Sequence, residues 1–125
     1  MTGSKLIDSS IWIDYLIKGR FKEIIDAEDI LKLSVLSLFE IKRKLIRNTA
    51  ISSEKVMENV SFVKRKSIIL SPDINIAEKA AEISAEKNIP AIDALIYATA
   101  LLNNIELITS DNTFRGLKGA VVLET

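Results

Sequence analysis

Residues 89–102 read IPAIDALIYATALL, an almost wholly apolar stretch with a single charged residue, Asp93. Pro90 suits the first turn of a helix, because the N–H that proline lacks has no helical partner there. The pattern therefore predicts a helix from Pro90 to about residue 102. A helix of this apolar character is expected to be buried on most sides. A short apolar run at 106–108, predicted to be a strand, follows it.

Short apolar runs alternate with helical patterns over the rest of the chain. Besides 106–108, strands are predicted at 5–7, 30–35, 67–70 and 120–123, and helices at 11–18, 21–26, 37–48, 52–66 and 72–87. Strands that alternate with helices favour a parallel sheet covered by helices on both faces. The predicted fold is therefore of the α/β class: a three-layer α/β/α sandwich around a central, mainly parallel five-stranded sheet, in a single domain over residues 1–125.

Several residues are typical of helix ends. Gly19 is suited to a left-handed cap after the first helix. Ser37 and Glu40 have the spacing of a capping box, which predicts that the third helix opens at Ser37. Ser52 or Ser53 is predicted to cap the helix after it.

The amino-acid composition excludes several kinds of catalytic and metal-binding site. The chain has neither cysteine nor histidine, which excludes disulfides, thiolate zinc sites, a Ser-His-Asp triad and imidazole metal ligands. Lys plus Arg and Asp plus Glu number 17 each, and the resulting net charge of zero neither predicts nor excludes nucleic-acid binding. No apolar run reaches the roughly 18–20 residues of a membrane span, and the first residues lack the pattern of a signal peptide. A cytoplasmic protein without membrane contact is expected.

Four acidic residues fall just after predicted strands or in the first turns of helices. Asp8 follows the first strand and Asp111 the fourth, whereas Glu40 and Asp93 lie in first turns. In a parallel α/β fold these positions share one edge of the sheet, so the carboxylates are expected to converge there. Clustered carboxylates repel one another, and Mg²⁺ or Mn²⁺ resolves that repulsion through oxygen ligands. Such a cation activates water and neutralises charge on a phosphate, which indicates phosphodiester hydrolysis.

Three of the four acids also have a purely structural interpretation. Asp8 is able to cap the helix after it, and Asp111 fits ordinary turn chemistry. Glu40 completes the capping box with Ser37, and on spacing alone this structural role is favoured for it. Its helical face also carries Arg43, Lys44 and Arg47. The first two lie three and four residues after Glu40, a spacing that stabilises helices by roughly 0.2–0.5 kcal/mol per pair.

Asp93 carries the strongest indication of function. An ionised carboxylate in so apolar a helix is costly unless it is paired, hydrogen-bonded or bound to metal. Its position in the first turn gains only about 0.3–1 kcal/mol from the helix dipole. Because the cost of burying the charge exceeds the gain from the helix dipole, a functional role is favoured for Asp93.

Four segments resemble the motifs of PIN domains. The first is LIDSS at 6–10, in which an aspartate ends a strand before serine, and the others are LSLFE at 36–40, PAIDALI at 90–96 and LITSDNTF at 107–114. They occur in the family's order and cover nearly the whole chain. The small size further resembles the VapC-type toxins of bacterial and archaeal toxin–antitoxin pairs.

The resemblance implies a Mg²⁺ or Mn²⁺ site and cleavage of RNA phosphodiester bonds. It makes Asp8 and Asp93 the central metal ligands, with Glu40 and Asp111 completing the acidic cluster. It also implies a homodimer and, for the toxin branch, a small antitoxin protein that covers the site.

Two hydroxyl residues, Ser10 and Thr109, are expected to orient these carboxylates or a water molecule. One position departs from the family pattern. Many relatives carry a further acid just before the Phe of the fourth motif, where this chain has Thr113 after Asn112. The departure affects the binding of a second metal ion and leaves the four acids intact.

Positive charge near the acids is expected to bind RNA. Arg43 and Arg47 follow Glu40 on one helical face and Arg115 follows Asp111, so these three arginines are predicted to contact phosphates. The alternative is a solvated helix face, the role that charge runs often have.

The favoured hypothesis is thus a toxin-type endoribonuclease. The alternatives are a housekeeping RNA-processing nuclease with the same site, or a non-catalytic PIN-like module that binds RNA or protein. Only the Thr113 position supports the last of these. P-loop and Rossmann enzymes are excluded because the chain contains no Gly-x-Gly-x-x-Gly or Gly-Lys-Ser/Thr pattern.

Overall fold

The computed structural model describes residues 4–27 and 30–124. Within these residues there are five strands and six α-helices, together with a 3₁₀ helix at Asn112–Phe114. The strands are β1 (Lys5–Ile7), β2 (Leu31–Ser34), β3 (Ser67–Leu70), β4 (Glu106–Thr109) and β5 (Ala120–Val122). The helices are α1 (Ser9–Lys18), α2 (Lys22–Ile25), α3 (Val35–Arg47), α4 (Ser53–Lys66), α5 (Ile74–Lys87) and α6 (Ala91–Leu102).

The five strands form one sheet in the order β3-β2-β1-β4-β5, and every neighbouring pair is parallel. At the centre, Leu6 of β1 is in register with Lys32 of β2 on one side and Leu107 of β4 on the other. The predicted α/β class and parallel sheet are therefore confirmed, and the sheet is wholly rather than mainly parallel.

Side chains of the central strands alternate between two separate cores. Leu6 and Leu107 face a core shared with α5 and α6, whereas Ile7 and Ile108 face a core shared with the helices α1 to α4. Because successive residues of a strand point to opposite faces, each buried strand supplies both cores. The three-layer sandwich is confirmed.

The apolar helix α6 is buried along most of its length, from Ala94 to Ala100. Helix α6 begins at Ala91, one residue later than predicted. Pro90 is its N-cap residue, with an extended ψ of 149°, and the carbonyl oxygen of Pro90 accepts from the N–H of Ala94 at 2.9 Å. Asp93 occupies the first turn, as the sequence indicated.

The predicted capping box at the start of α3 is wrong. Ser34, the last residue of β2, is the N-cap, and its Oγ accepts from the N–H of Leu36 at 3.1 Å. The strand runs directly into the helix because the pairing of Ser34 with Leu70 holds Ser34 in the extended conformation that an N-cap requires. Ser37 lies inside the helix and is completely buried. The sequence has a serine at both positions, and the pairing of β2 with β3 makes Ser34 the N-cap residue.

Other helix ends follow local chemistry more closely. Gly19 adopts the left-handed conformation after α1, with φ of 69°, as predicted. Ser52 rather than Ser53 caps α4, since its side chain accepts from the N–H of Lys55. The 3₁₀ helix after β4 was not predicted. Across residues 4–27 and 30–124, no helix has the length and apolar character needed to cross a membrane.

Candidate active site

The acidic residues lie at the point where the strand order reverses. From β1 the chain proceeds to β2 on one side, while β4 pairs with β1 on the other side. In open parallel sheets this reversal leaves a crevice outside the carboxyl ends of the two strands. Asp8 directly follows β1, and Asp111 lies two residues beyond β4. The topology therefore brings together two acids that are about a hundred positions apart.

Asp8 is almost completely buried, with 3% of its surface exposed. Its Oδ2 accepts from Ser10 Oγ at 2.9 Å and from Thr109 Oγ1 at 2.7 Å. Its backbone holds the N-cap position of α1, but its side chain makes no capping hydrogen bond. The interpretation of this carboxylate as a simple helix cap is therefore wrong.

The two hydroxyls that serve Asp8 are themselves oriented by backbone amides. The N–H of Asp111 donates to Thr109 Oγ1 at 3.0 Å, and the N–H of Ser110 donates to Ser10 Oγ at 3.0 Å. A hydroxyl has one proton, so a serine or threonine that accepts from an amide keeps its proton for the carboxylate. The loop after β4 thus directs both protons towards Asp8.

Glu40 lies in the second turn of α3, not in the first as predicted, because the helix already begins at Val35. Its side chain is partly buried. Its Oε1 accepts from Ser9 Oγ at 2.8 Å. Sequence reasoning named Ser10 and missed Ser9. Both serines lie in the first turn of α1, and nothing in the local pattern connects Ser9 to a glutamate 31 positions away.

Asp111 has the structural role that the turn interpretation assigned to it. It is the N-cap of the 3₁₀ helix, and its Oδ1 accepts from the N–H of Thr113 at 2.9 Å. Its charge also acts on the other acids, as the pKa of Asp93 shows. Thr113, the position that departs from the family pattern, is exposed.

Asp93 is partly buried at the start of α6. Its pKa is raised from an ordinary 3.8 to about 6, chiefly by burial. The other acids add to this rise, Asp111 most strongly, followed by Asp8 and Glu40. All four predicted acids therefore lie within electrostatic reach of one another.

The pKa values of Asp8 and Glu40 are also raised, in both cases chiefly by burial. For Asp8, the hydroxyls of Thr109 and Ser10 act in the opposite direction because they stabilise the ionised form. For Glu40, the Ser9 hydroxyl opposes the rise in pKa. The site therefore holds carboxylates at an electrostatic cost that a cation would relieve.

The donors at this site suit a hard cation. They are carboxylate and hydroxyl oxygens, the ligands that Mg²⁺ and Mn²⁺ prefer. In the part of the chain that the structure describes, no three acidic side chains lie close enough to hold one ion as they stand. Mg²⁺ usually keeps several waters and binds through only one or two carboxylates, so the donor set fits such an ion.

A family model for the PIN domain matches residues 5–120 of the chain. This chain belongs to the PIN-domain family. Comparison with curated proteins found no match.

Solved structures with this PIN fold include toxins of toxin–antitoxin pairs. A chain from a toxin–antitoxin complex of Klebsiella pneumoniae is 25% identical, with a TM-score of 0.83 over 98% of this chain and 100% of that one. DNA-bound VapBC of Salmonella typhimurium matches at 17% identity and a TM-score of 0.79, over 98% of each chain. VapC20 of Mycobacterium tuberculosis, described as a sarcin–ricin loop cleaving toxin, matches at 15% identity and a TM-score of 0.74, over 98% of this chain and 100% of that one.

A basic cleft adjoins the acidic site of this PIN domain. It has a volume of about 460 Å³, and Arg43, Lys44 and Arg47 line it together with Ser9 and Glu40. The predicted RNA contacts Arg43 and Arg47 thus open onto the same space as one of the acids.

The third predicted RNA contact has a different environment. The guanidinium of Arg115 donates to Asn112 Oδ1 at 2.8 and 3.1 Å and to Glu124 Oε2 at 2.9 Å. Arg43, for comparison, lies with its guanidinium carbon 5.1 Å from the centre of the Phe39 ring. Arg115 would have to give up intramolecular partners in order to bind a phosphate.

Proposed function

We propose that this PIN domain is a metal-dependent endoribonuclease that hydrolyses RNA phosphodiester bonds, and that it is the toxin of a VapBC-type toxin–antitoxin pair. The observation that carries the proposal is the placement of Asp8 and Asp111 just beyond the ends of two neighbouring strands, with the buried Asp8 carboxylate held by two hydroxyls and a basic cleft beside Glu40. Membership of the PIN family and the fold shared with toxin structures support it.

Asp8 and Asp93 would hold a Mg²⁺ or Mn²⁺ ion, with Glu40 and Asp111 completing its surroundings. When bound, such an ion supplies an activated water and positive charge for the phosphate. The chain itself orients the site. Thr109 fixes the Asp8 carboxylate by donating to Oδ2.

The basic cleft would hold the RNA backbone. Arg43 and Arg47 lie beside Glu40 in the cleft, where their charges offset those of phosphates next to the acidic site. Because phosphate contacts position a nucleic acid without reading its sequence, these residues account for RNA binding but not for the choice of cut site.

We also propose a small antitoxin and a second copy of the chain as protein partners. Helix α3 exposes three large apolar side chains, Val35 at 36%, Phe39 at 51% and Ile46 at 60%. With Leu38 they line a groove of about 520 Å³. Exposed apolar patches of this kind mark surfaces that proteins cover.

The proposal is tested by incubating the purified protein with end-labelled transfer RNA and ribosomal RNA fragments, with Mn²⁺ and with EDTA. Wild type is expected to produce discrete cuts with Mn²⁺ only, and Asp93→Asn is expected to produce none. Asp26→Asn is the matched control, because it makes the same chemical change at an exposed residue at the end of α2.

Cleavage by Asp93→Asn at the wild-type rate, or in EDTA, would contradict the proposed site. Expression of each variant in bacteria tests the toxin assignment. Growth arrest is expected from wild type and Asp26→Asn but not from Asp93→Asn, and co-expression of the protein encoded by a neighbouring small reading frame should relieve it.

A further inference from the structure

Two consecutive serines at the start of α1 serve different acids. Ser9 Oγ donates to Glu40 Oε1 at 2.8 Å, whereas Ser10 Oγ donates to Asp8 Oδ2 at 2.9 Å. Successive residues of a helix point about 100° apart, so neighbouring hydroxyls point in different directions from the helix axis. The first turn of α1 therefore contacts two carboxylates that come from different elements.

We infer that Ser9 is a positioning residue that holds Glu40 in the orientation in which it faces the catalytic cation. The inference rests on the proposed function, since it assigns a role within that metal site. Ser9 would act through Glu40 and would not touch the cation.

The environment of Ser9 favours a defined hydrogen bond over a casual surface contact. Only 8% of the surface of Ser9 is exposed, so water competes little with Glu40 for the Ser9 hydroxyl. The bond joins α1 to α3 across 31 positions of sequence. It occupies Oε1 of the carboxylate and leaves Oε2 for the cation or for a water bound to it.

Without Ser9, Glu40 has an alternative partner on its own helix. Arg43 lies three residues further along α3, and such residues are neighbours on the surface of a helix. Both residues line the same cleft. Among the described residues, however, no ion pair joins them. Ser9 thus holds Glu40 towards α1, whereas pairing with Arg43 would draw the carboxylate along α3 and away from α1.

The test measures Mn²⁺ binding directly, by the electron paramagnetic resonance signal of free Mn²⁺, so that it does not depend on finding the RNA substrate. Ser9→Ala is expected to weaken Mn²⁺ binding about tenfold, within the range for residues that support metal ligands. Ser9→Thr keeps the hydroxyl and is expected to restore binding. Ser53→Ala is the matched control, because Ser53 is likewise the first residue of a helix but is exposed on α4.

A double-mutant cycle with Glu40→Gln tests whether Ser9 acts through Glu40. If it does, Ser9→Ala adds nothing to the loss already caused by Glu40→Gln. Three results would each overturn the inference. They are wild-type Mn²⁺ affinity in Ser9→Ala, additive losses in the cycle, and failure of Ser9→Thr to restore binding although its melting temperature equals that of wild type.

The outcomes separate this inference from the proposed function. If wild type binds no Mn²⁺, or if Asp93→Asn binds it as tightly as wild type, the metal site itself is wrong. If those two proteins behave as proposed and Ser9→Ala matches wild type, only the role of Ser9 is wrong. With RNA, Ser9→Ala is expected to lower kcat at fixed Mn²⁺ and leave KM unchanged, because Ser9 acts on the metal site and not on the phosphate contacts.

Discussion

Thr109 Oγ1 donates to Oδ2 of Asp8 across 2.7 Å, although 101 positions separate the two residues. Both are buried, Thr109 completely. The contact depends on the pairing of β1 with β4, which places Ile7 beside Ile108 and so brings the two following residues together. A carboxylate at the carboxyl end of one strand is thus oriented by a hydroxyl from its neighbour.

Replacement of Thr109 by valine is expected to destabilise the protein by about 1–3 kcal/mol, because it leaves a buried acceptor with one donor fewer. Thr109→Ser keeps the hydroxyl and should lose less. Urea unfolding at pH 7 in EDTA measures both. The loss should shrink at acidic pH, since the missing hydrogen bond stabilises the ionised form of Asp8. Equal stability of the two variants would contradict the role given to this hydroxyl.

Asp93→Asn is expected to stabilise the metal-free protein at neutral pH. The pKa of Asp93 is about 6 in the folded protein against an ordinary 3.8, so the folded state holds the proton more tightly than the unfolded chain does. Stability is therefore lost as pH rises from about 4 to about 6, and asparagine removes that dependence. The difference in melting temperature between variant and wild type should grow over this range. A constant difference would show that the pKa of Asp93 is not raised in the folded protein.

Divalent cations are expected to make wild type more stable than Asp93→Asn, the reverse of the order expected without metal. A ligand that binds only the folded state stabilises it by about 2.7 kcal/mol at a hundredfold excess over its Kd. Titration with Mn²⁺ should therefore raise the melting temperature of wild type and have little effect on Asp93→Asn or on Asp8→Asn. Ca²⁺ serves as a comparison, because it prefers more ligands at longer distances. Equal stabilisation of all three proteins by Mn²⁺ would place the ion elsewhere.

Arg47→Ala is expected to weaken RNA binding more than Arg115→Ala. Arg47 lines the cleft beside Glu40, whereas Arg115 is held by Asn112 and Glu124. Loss of one phosphate contact should reduce the slope of log affinity against log salt concentration by about 1. Fluorescence anisotropy at several salt concentrations, in the Asp93→Asn background, measures the slope without cleavage. A larger effect from Arg115→Ala would reverse the assignment.

The start of α3 provides a test of the fold itself. Ser34→Ala removes the side-chain cap and is expected to cost about 1 kcal/mol. Ser37→Ala should be neutral or stabilising. Its hydroxyl is buried and has no hydrogen-bond partner among the described residues, so alanine removes an unsatisfied polar group. Urea unfolding of the two variants distinguishes the observed cap from the capping box that the sequence predicts.

The sequence by itself determined the order and type of the strands and α-helices and the positions of Asp8, Asp93 and Asp111 on them, whereas Glu40 lies in the second turn of its helix and not in the first. Alternation of apolar residues, proline and glycine at helix ends, and the lone charge of Asp93 in an apolar helix are local features. A parallel α/β arrangement then places strand ends and helix starts at one edge, whatever the details of packing. Local physics was therefore sufficient for the fold class and for the choice of Asp93, whereas spacing alone favoured a structural role for Glu40.

Only the tertiary structure decided which hydroxyl serves which acid. Ser9 and Ser10 are chemically identical neighbours. Their partners, Glu40 and Asp8, depend on how α1 packs on α3 and on the register of β1 with β4. Selection of Ser34 over Ser37 as a cap likewise depends on pairing with β3. Strand register and helix packing are set by the whole core, and the periodicity of one segment carries no information about them.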